Sequence, residues 1–289
     1  MQRDARSRLG FTLIELLVVI AIMALLMGIL MPVLGRVRDT GRTTVCSSNI
    51  RGISLAGQIY THENDGKFPP FRMSTRSATD PAIYVNKYGR AKPRWPWFFD
   101  YGIGPVIDPR PYVVNPGDTF GDSDTLIMTN DFFMCPSFDH VGFDKHDIRN
   151  GSYGYNYQYL GNSRIKNGRY KNFPVCQVRI QRPSETVIVA DSRGIEDEGI
   201  HGYTLDPPRV ARSAGAEFFA RYSMPTYQKQ QSPADARHNG RVNVAFVDGH
   251  TERLSLEELG YVRDAAGAII ADDPAGSNRL WSGTGRHEP

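Results

Sequence analysis

Several groups of side chains in this sequence have the types and spacing to do chemistry. His238, Asp248 and His250, with His201 as a further candidate, offer imidazoles and a carboxylate, donors that suit zinc, and residues 248 and 250 are two apart, so one strand face presents both. His238, however, stands about 23 Å from them across a strand of about seven residues, unless the chain folds back. The reading kept is therefore metal-free: His238 hydrogen-bonds a neighbouring loop and Asp248 forms a turn. Cys46, Cys135 and Cys176 allow one disulfide with one thiol left over, or three buried thiols. A Cys46–Cys135 bridge would tie a loop to a helix, but three pairings are open. Asp118, Asp122 and Asp124 crowd oxygen ligands into a Gly-containing loop, though not at the spacing of the D-x-D-x-D-G calcium loop. Glu15 places one carboxylate at the edge of a long apolar run and calls for a cationic partner. With no G-x-S-x-G elbow, P-loop, H-E-x-x-H or C-x-x-C, and with scattered histidines, no nucleophile, base and orienter assemble from spacing. The chain reads as the substrate of an enzyme and not as an enzyme, with no cofactor required.

The element that must position Glu15 is a helix. Leu16 to Leu34 carries no charged residue, and Phe11 to Leu34 is 24 residues. As a helix that stretch spans about 36 Å, enough to cross a hydrocarbon core of about 30 Å. A secretory signal peptide has a shorter apolar region, about 7 to 15 residues, ending in a small-residue cleavage site. Arg3, Arg6 and Arg8 before the run are matched by Arg36, Arg38 and Arg42 after it, so the positive-inside rule does not orient it. Pro32 removes a backbone donor within the run, and a bend or local melting is expected there.

The string Gly10-Phe11-Thr12-Leu13-Ile14-Glu15, with the apolar helix that follows, resembles the N-terminal cleavage and methylation signal of type IV prepilins and type II secretion pseudopilins. The resemblance implies that a prepilin peptidase cuts between Gly10 and Phe11 and methylates the new Phe11 amine. It also implies that Glu15 faces that amine on a neighbouring subunit as a filament assembles, so that two groups costly to bury singly neutralise each other. Pro32 lies 21 residues after Phe11, where such stems often carry a kink. The leader would be cytoplasmic, the helix in the inner membrane and the remainder periplasmic or otherwise extracytoplasmic. A major pseudopilin of this class binds calcium in a loop, which keeps calcium open for the Asp118 region.

Beyond the membrane segment, Cys46, Ile50, Ile53, Gly57 and Tyr60 recur at steps of four and three, with Val45, Leu55 and Ile59 widening the face. This is the period of an amphipathic helix packed on something. The stem ends at Glu63-Asn64-Asp65-Gly66-Lys67-Phe68-Pro69-Pro70, a run of turn formers. Trp95, Trp97, Phe98, Phe99 and Tyr101 form an aromatic patch better suited to burial than to exposure. Tyr153, Tyr155, Tyr157 and Tyr159 alternate strictly and are expected on one strand face. That face either covers the stem or presents a platform for sugars or a partner protein. Thr186 to Asp191 reads as a buried strand with Asp191 capping a turn. Asn239-Gly240 and Asp248-Gly249 flank a β-branched and aromatic run, with Thr251 to Leu256 returning as a hairpin. His238, nine residues and then Asp248-Gly249 resembles the H-x9-D-G signature found near the C terminus of proteins bearing the prepilin signal.

Of the formal net charge of +3, the leader's three arginines and Asp4 account for +2, leaving +1, and no basic patch argues for nucleic acid. With 28 glycines, 19 prolines and 14 tyrosines, the chain is turn-rich and not a helical bundle. The expected fold is α+β and pilin-like, a long half-transmembrane helix packed on an antiparallel sheet with long loop insertions. Its segments are a leader at 1–10, a polymerisation helix at 11–34, a soluble stem at 35–62, a β-rich domain at 63–262 and a partly disordered tail at 263–289. Residues 71–150 and 193–235 read as insertions of open purpose. The expected partners are prepilin peptidase, other pseudopilin subunits and the inner membrane. The alternative is an anchored envelope-binding module whose tyrosines and loops recognise polysaccharide or protein without polymerising.

Overall fold

A computed structural model describes residues 13–70, 84–86, 89–91, 95–99, 107–111, 126–128, 131–138, 151–161, 163–166, 169–172, 175–193, 204–209 and 231–287. Gly10, Phe11, Tyr101, Asp118, Asp122, Asp124 and His201 lie outside these residues, so the cleavage point and the candidate calcium loop do too. The chain divides into two compact units, residues 1–42 and 43–289.

Helix α1 (Leu13–Glu63) contributes to both units. Within the first, Leu13 to Leu34 is exposed along its length, and the helix is long and apolar enough to cross a membrane. Glu15 lies in its first turn. The expected melting at Pro32 does not occur, since the helix continues through it. Proline deletes one donor and its clash is local, so the turns on either side keep their ladder.

In the second unit α1 buries Cys46, Ile50, Ile53, Ser54, Ala56, Gly57 and Thr61. The expected four-and-three stripe is therefore present, but it widens to the other side from the one expected. Val45, Leu55 and Ile59 are 42–52% exposed. Small polar residues take the buried edge because they carry their own partners: Ser54 Oγ donates to Phe246 O at 3.0 Å and Thr61 Oγ1 to Gly57 O at 2.7 Å. Gly57 permits the close approach, since a Cβ there would lie 2.5 Å from a ring atom of Phe99.

The stem covers one face of a four-stranded antiparallel sheet ordered β10-β9-β8-β5, formed by β5 (Tyr153–Tyr155), β8 (Val187–Asp191), β9 (Val242–Phe246) and β10 (Thr251–Leu254). Ala245 and Val247 join the stem-side core with Ile50, Ile53, Phe99, Tyr155 and Ile188. Val242, Val244 and Phe246 point to a second core with Leu259, Tyr261 and Trp281. Burial on both faces explains why β8 and β9 read as nearly continuous apolar runs. The remaining described pairs are short antiparallel hairpins: β1 (Tyr84–Asn86) with β2 (Gly89–Ala91), β3 (Ile107–Pro111) with β4 (Leu126–Met128), β6 (Ser163–Lys166) with β7 (Arg169–Asn172) and β11 (Val262–Arg263) with β12 (Ile269–Ile270).

Two further expectations change. The tyrosine alternation ends at Tyr155, and Tyr157–Gly161 forms a π-helical turn instead of more strand. That turn lets Tyr157 Oη and Gln158 Nε2 both donate to the buried Asp206 carboxylate, at 2.9 and 2.6 Å. All four tyrosines are buried, so they supply core and not a sugar-binding platform. Nor is the C-terminal segment loose. Asn278 and Trp281 are fully buried, Trp281 Nε1 donates to Leu259 O at 2.9 Å, and the segment closes the sheet's second face. Its Gly- and Asp-rich composition serves tight turns, with positive φ at Gly267, Asp272, Gly283 and Gly285. The aromatic patch packs as expected where described, with Trp95, Phe98 and Phe99 buried and Trp95 edge-on to Phe99 at 5.1 Å.

Because Ile50 is fully buried between stem and sheet, Ile50→Ala should lower the unfolding free energy by about 2–5 kcal/mol. Val45→Ala, one position from the same face but half exposed, should change it by less than about 0.5 kcal/mol. Urea unfolding of the full chain in detergent, followed by tryptophan fluorescence, measures both; equal losses would contradict this packing.

Candidate functional site

The densest group of reactive side chains in the described residues sits where the buried stem meets one end of the sheet. Cys46 comes from α1, Cys135 from the segment after a 3-10 turn (Asp131–Phe133), Asp191 from the last position of β8 and His238 from the turn that leads into β9. Cys46, Cys135, Asp191 and His238 are all buried, and one ligand atom from each lies within 4.8 Å of every other. Cys46 Sγ donates to Asp191 Oδ1 at 3.2 Å. His238 Nε2 lies 3.3 Å from Cys135 Sγ and 3.4 Å from Asp191 Oδ2.

Local structure fixes each donor. His238 enters a tight turn whose Asn239 and Gly240 both have positive φ, and its backbone exchanges hydrogen bonds with Arg241 at 3.1 and 3.2 Å. Thr43 Oγ1, on the stem, meets His238 Nδ1 at 3.2 Å and leaves Nε2 facing the cluster. Cys135 is held by its backbone N–H, which donates to Ser152 Oγ, while Ser152 Oγ donates to Phe133 O at 3.2 Å. The N–H of Ser137 donates to Cys135 Sγ at 3.4 Å. Asp191 Oδ2 accepts the N–H of Asn243 at 2.8 Å, joining β8 to the start of β9 by a side chain.

Arg237 closes the outer side. Its Nη2 donates to the carbonyls of Ser152 and Ser192, at 3.1 and 2.5 Å, its Nε lies 3.2 Å from Asp235 and 4.0 Å from Asp191, and its guanidinium covers the Phe138 ring at 4.6 Å. Burial opposes its charge, but Asp191 and Asp235 more than offset this and raise its pKa. The two thiols are driven apart. Burial pushes the Cys46 thiol far up, whereas the hydrogen bond from Cys46, and then His238 and Arg237, pull Cys135 down to about 5 against its own burial. For His238 burial favours the neutral ring, yet bonding to Asp191 and Cys135 raises it to about 9. Tyr153 is also buried here, and its hydroxyl interacts with Cys46.

The expected groupings fare unequally. Cys46 and Cys135 do come together, but as free thiols and not as a disulfide; Cys176 is a free thiol elsewhere, its Sγ 3.8 Å from Asp65 O. His238 is separated from Asp248 and His250, because the three stand at opposite ends of β9. Asp248 and His250 instead pair with each other at 2.5 Å on the partly exposed hairpin turn, where Gly249 takes a φ of 94°. His238 does bond to neighbouring segments, and those include the stem and a strand end as well as a loop. Asp191, expected to cap a turn, is the carboxylate around which the others gather. The signal for it was present: an acid closing Val187-Ile188-Val189-Ala190, a run buried on both faces, has no route to solvent.

Compared with known protein families, residues 5–31 match the prokaryotic N-terminal methylation motif. The chain shows no match to curated proteins or to solved structures. The match covers the methylation signal at the N terminus and part of the helix after it, which is long and apolar enough to cross a membrane.

Arg237 offers a direct check on the cluster's supports. Arg237→Leu removes the cation 3.2 Å from Asp235 and 4.0 Å from Asp191 and the side-chain donor to the Ser192 carbonyl, and should cost about 3–5 kcal/mol. Arg241→Leu, whose guanidinium is half exposed, should cost less than about 1 kcal/mol. Thermal unfolding of both variants decides the point, and an unchanged midpoint for Arg237→Leu would refute it.

Proposed function

We propose that the chain is a pseudopilin or pilin-like structural subunit, cut by a prepilin peptidase and assembled through its N-terminal helix into a type II secretion or type IV pilus-like filament. The observation that carries this reading is the methylation motif over residues 5–31, which runs into a 51-residue helix whose charge-free stretch from Leu16 to Leu34 is exposed. Such a surface needs lipid or other helices around it, since each large apolar side chain left in water forfeits about 1.5–3 kcal/mol.

In this reading cleavage between Gly10 and Phe11 creates a cationic amine, methylated on Phe11, that meets Glu15 of a neighbour. A carboxylate at mid-bilayer costs about 3 kcal/mol, and pairing it with an amine turns that penalty into a registry device between subunits. The partners are the peptidase, other subunits of the same filament and the inner membrane, with the domain from residue 43 on the far side. The H-x9-D-G segment is structural: His238 anchors its start to the stem and Asp248-Gly249 turns its end. The chain is a substrate and building block and not an enzyme. An anchored binding module that does not polymerise remains the competing reading; the burial of all four tyrosines removes the surface it would have used first.

Two variants test this in the native host. Gly10→Ala should abolish processing, read by N-terminal mass spectrometry as a chain that retains its first ten residues; normal cleavage would sink the prepilin reading. Glu15→Ala should leave processing and membrane insertion intact yet reduce recovery in sheared filament fractions by at least about tenfold, the loss of about 1.4 kcal/mol or more per contact. Wild-type recovery would rule out the assembly role of Glu15.

A further inference from the structure

We propose that Cys46, Cys135, Asp191 and His238 form a tetrahedral Zn2+ site that clips the stem helix to the sheet. The donor set is two thiols, one imidazole nitrogen and one carboxylate oxygen, which is chemistry zinc accepts in closed structural sites. Zinc bonds of about 2.0–2.3 Å place tetrahedral ligand atoms about 3.4–3.8 Å apart. Here one ligand atom from each residue lies within 4.8 Å of every other; His238 Nε2 stands 3.3 Å from Cys135 Sγ, and the Asp191 carboxylate reaches Cys46 Sγ through Oδ1 at 3.2 Å and His238 Nε2 through Oδ2 at 3.4 Å. The cluster is slightly wider than a zinc coordination sphere, and small side-chain adjustments would draw the four atoms onto an ion.

The surroundings fit the same reading. A ligating histidine usually engages its second nitrogen with an oxygen that fixes the ring, and Thr43 Oγ1 does this at His238 Nδ1. Ligating thiolates and carboxylates are steadied by backbone N–H groups, here Ser137 to Cys135 and Asn243 to Asp191. With His238 neutral, two thiolates and Asp191 carry −3 against the dication, and Arg237 lies beside Asp191 to offset part of the remainder while it also pairs with Asp235. Binding requires both thiols and the imidazole deprotonated and releases their protons to solvent, and no oxidant or reductant is involved. A disulfide between Cys46 and Cys135 would explain two of the four residues and leave Asp191 and His238 buried side by side without a reason. Zinc explains all four.

The four ligands come from chain segments up to 192 residues apart, so the site acts as a cross-link in a domain whose loops are long. It also gives the histidine of the H-x9-D-G segment a task of its own, separate from the turn at Asp248-Gly249. Nothing in this inference depends on how the N terminus is processed.

The test uses the full chain, purified in detergent with Zn2+ present and then dialysed. Elemental analysis should find about one zinc per chain, and replacement by Co2+ should give the strong visible bands of tetrahedral cobalt with a near-ultraviolet thiolate band. Cys135→Ser and His238→Gln should each lower zinc occupancy at least tenfold, while Cys176→Ser retains it. Chelation should lower the melting temperature of the wild type and of Cys176→Ser but not that of Cys135→Ser. Should the ligand variants fail to fold, the cobalt spectrum of the wild type still decides. A wild-type chain that holds no metal after zinc exposure, octahedral cobalt without a thiolate band, or a Cys46–Cys135 disulfide in the native protein would each overturn the proposal.

Discussion

The buried carboxylate of Asp191 is the point on which the second unit is organised. It ends the central strand β8, accepts the backbone N–H of Asn243 from β9, accepts the Cys46 thiol of the stem and stands beside His238 and Arg237. A carboxylate removed from water is tolerated only where donors and cations replace its hydration. Every segment that supplies one is thereby fixed in place: the stem by Cys46, the 3-10 segment through the Cys135 and His238 pair, the hairpin by the turn at residues 238–241. The apolar layers alone would hold a helix on a sheet with some freedom to slide. The polar cluster sets the register, because a shift of one helical turn would bring Ile50 or Arg42 to the carboxylate in place of Cys46.

This arrangement explains which parts of the molecule were legible in the sequence. Periodicity along the stem revealed the face bearing Cys46, Ile50, Ile53 and Gly57, because a single helix packed on one neighbour obeys its own period. Dipeptides with defined turn geometry marked both ends of β9, and Asn239, Gly240 and Gly249 adopt the positive φ those turns require. What could not be read was decided by partners distant in sequence. Whether Ser54 or Leu55 faced inward depended on the carbonyl of Phe246, 192 residues away, standing ready for a hydroxyl. The tyrosine alternation promised a longer strand, but the carboxylate of Asp206 recruits both Tyr157 and the adjacent Gln158, which no strand could supply from one face. The C-terminal segment looked loose because its composition is that of turns, and its anchor, Trp281, is a single residue.

The candidate site shows the same division. Each member was visible as a residue type: three cysteines counted, His238 opening a motif, Asp191 ending a strand. Their grouping was not, since His238 had been weighed with Asp248 and His250 by nearness in sequence. A strand of five residues places those two ends far apart, and folding joined His238 to residues 47, 103 and 192 positions away instead. Proximity along the chain was the wrong metric for ligands; burial was the better one. A histidine, an aspartate and two cysteines that are all buried have few places to go except to one another.

The helix α1 also carries an abrupt change in what its side chains require. Up to residue 42 its large apolar residues are exposed and no other part of the described chain covers them; from Thr43 onward a buried face begins, and the first residues on it, Thr43 and Cys46, are already tied to His238 and Asp191. The first stretch is therefore stabilised only by what lies outside the chain, lipid or other helices, and the second only by what lies within it. The polar cluster stands at that transition. Cys46 and Thr43 tie the first buried turn of the second unit to Asp191 at the end of β8 and to His238 before β9. Such bonds are directional, where a hydrophobic contact at the same place would tolerate a shift, so the register of stem on sheet is set at this turn and the rest of the buried stem is left to ordinary packing.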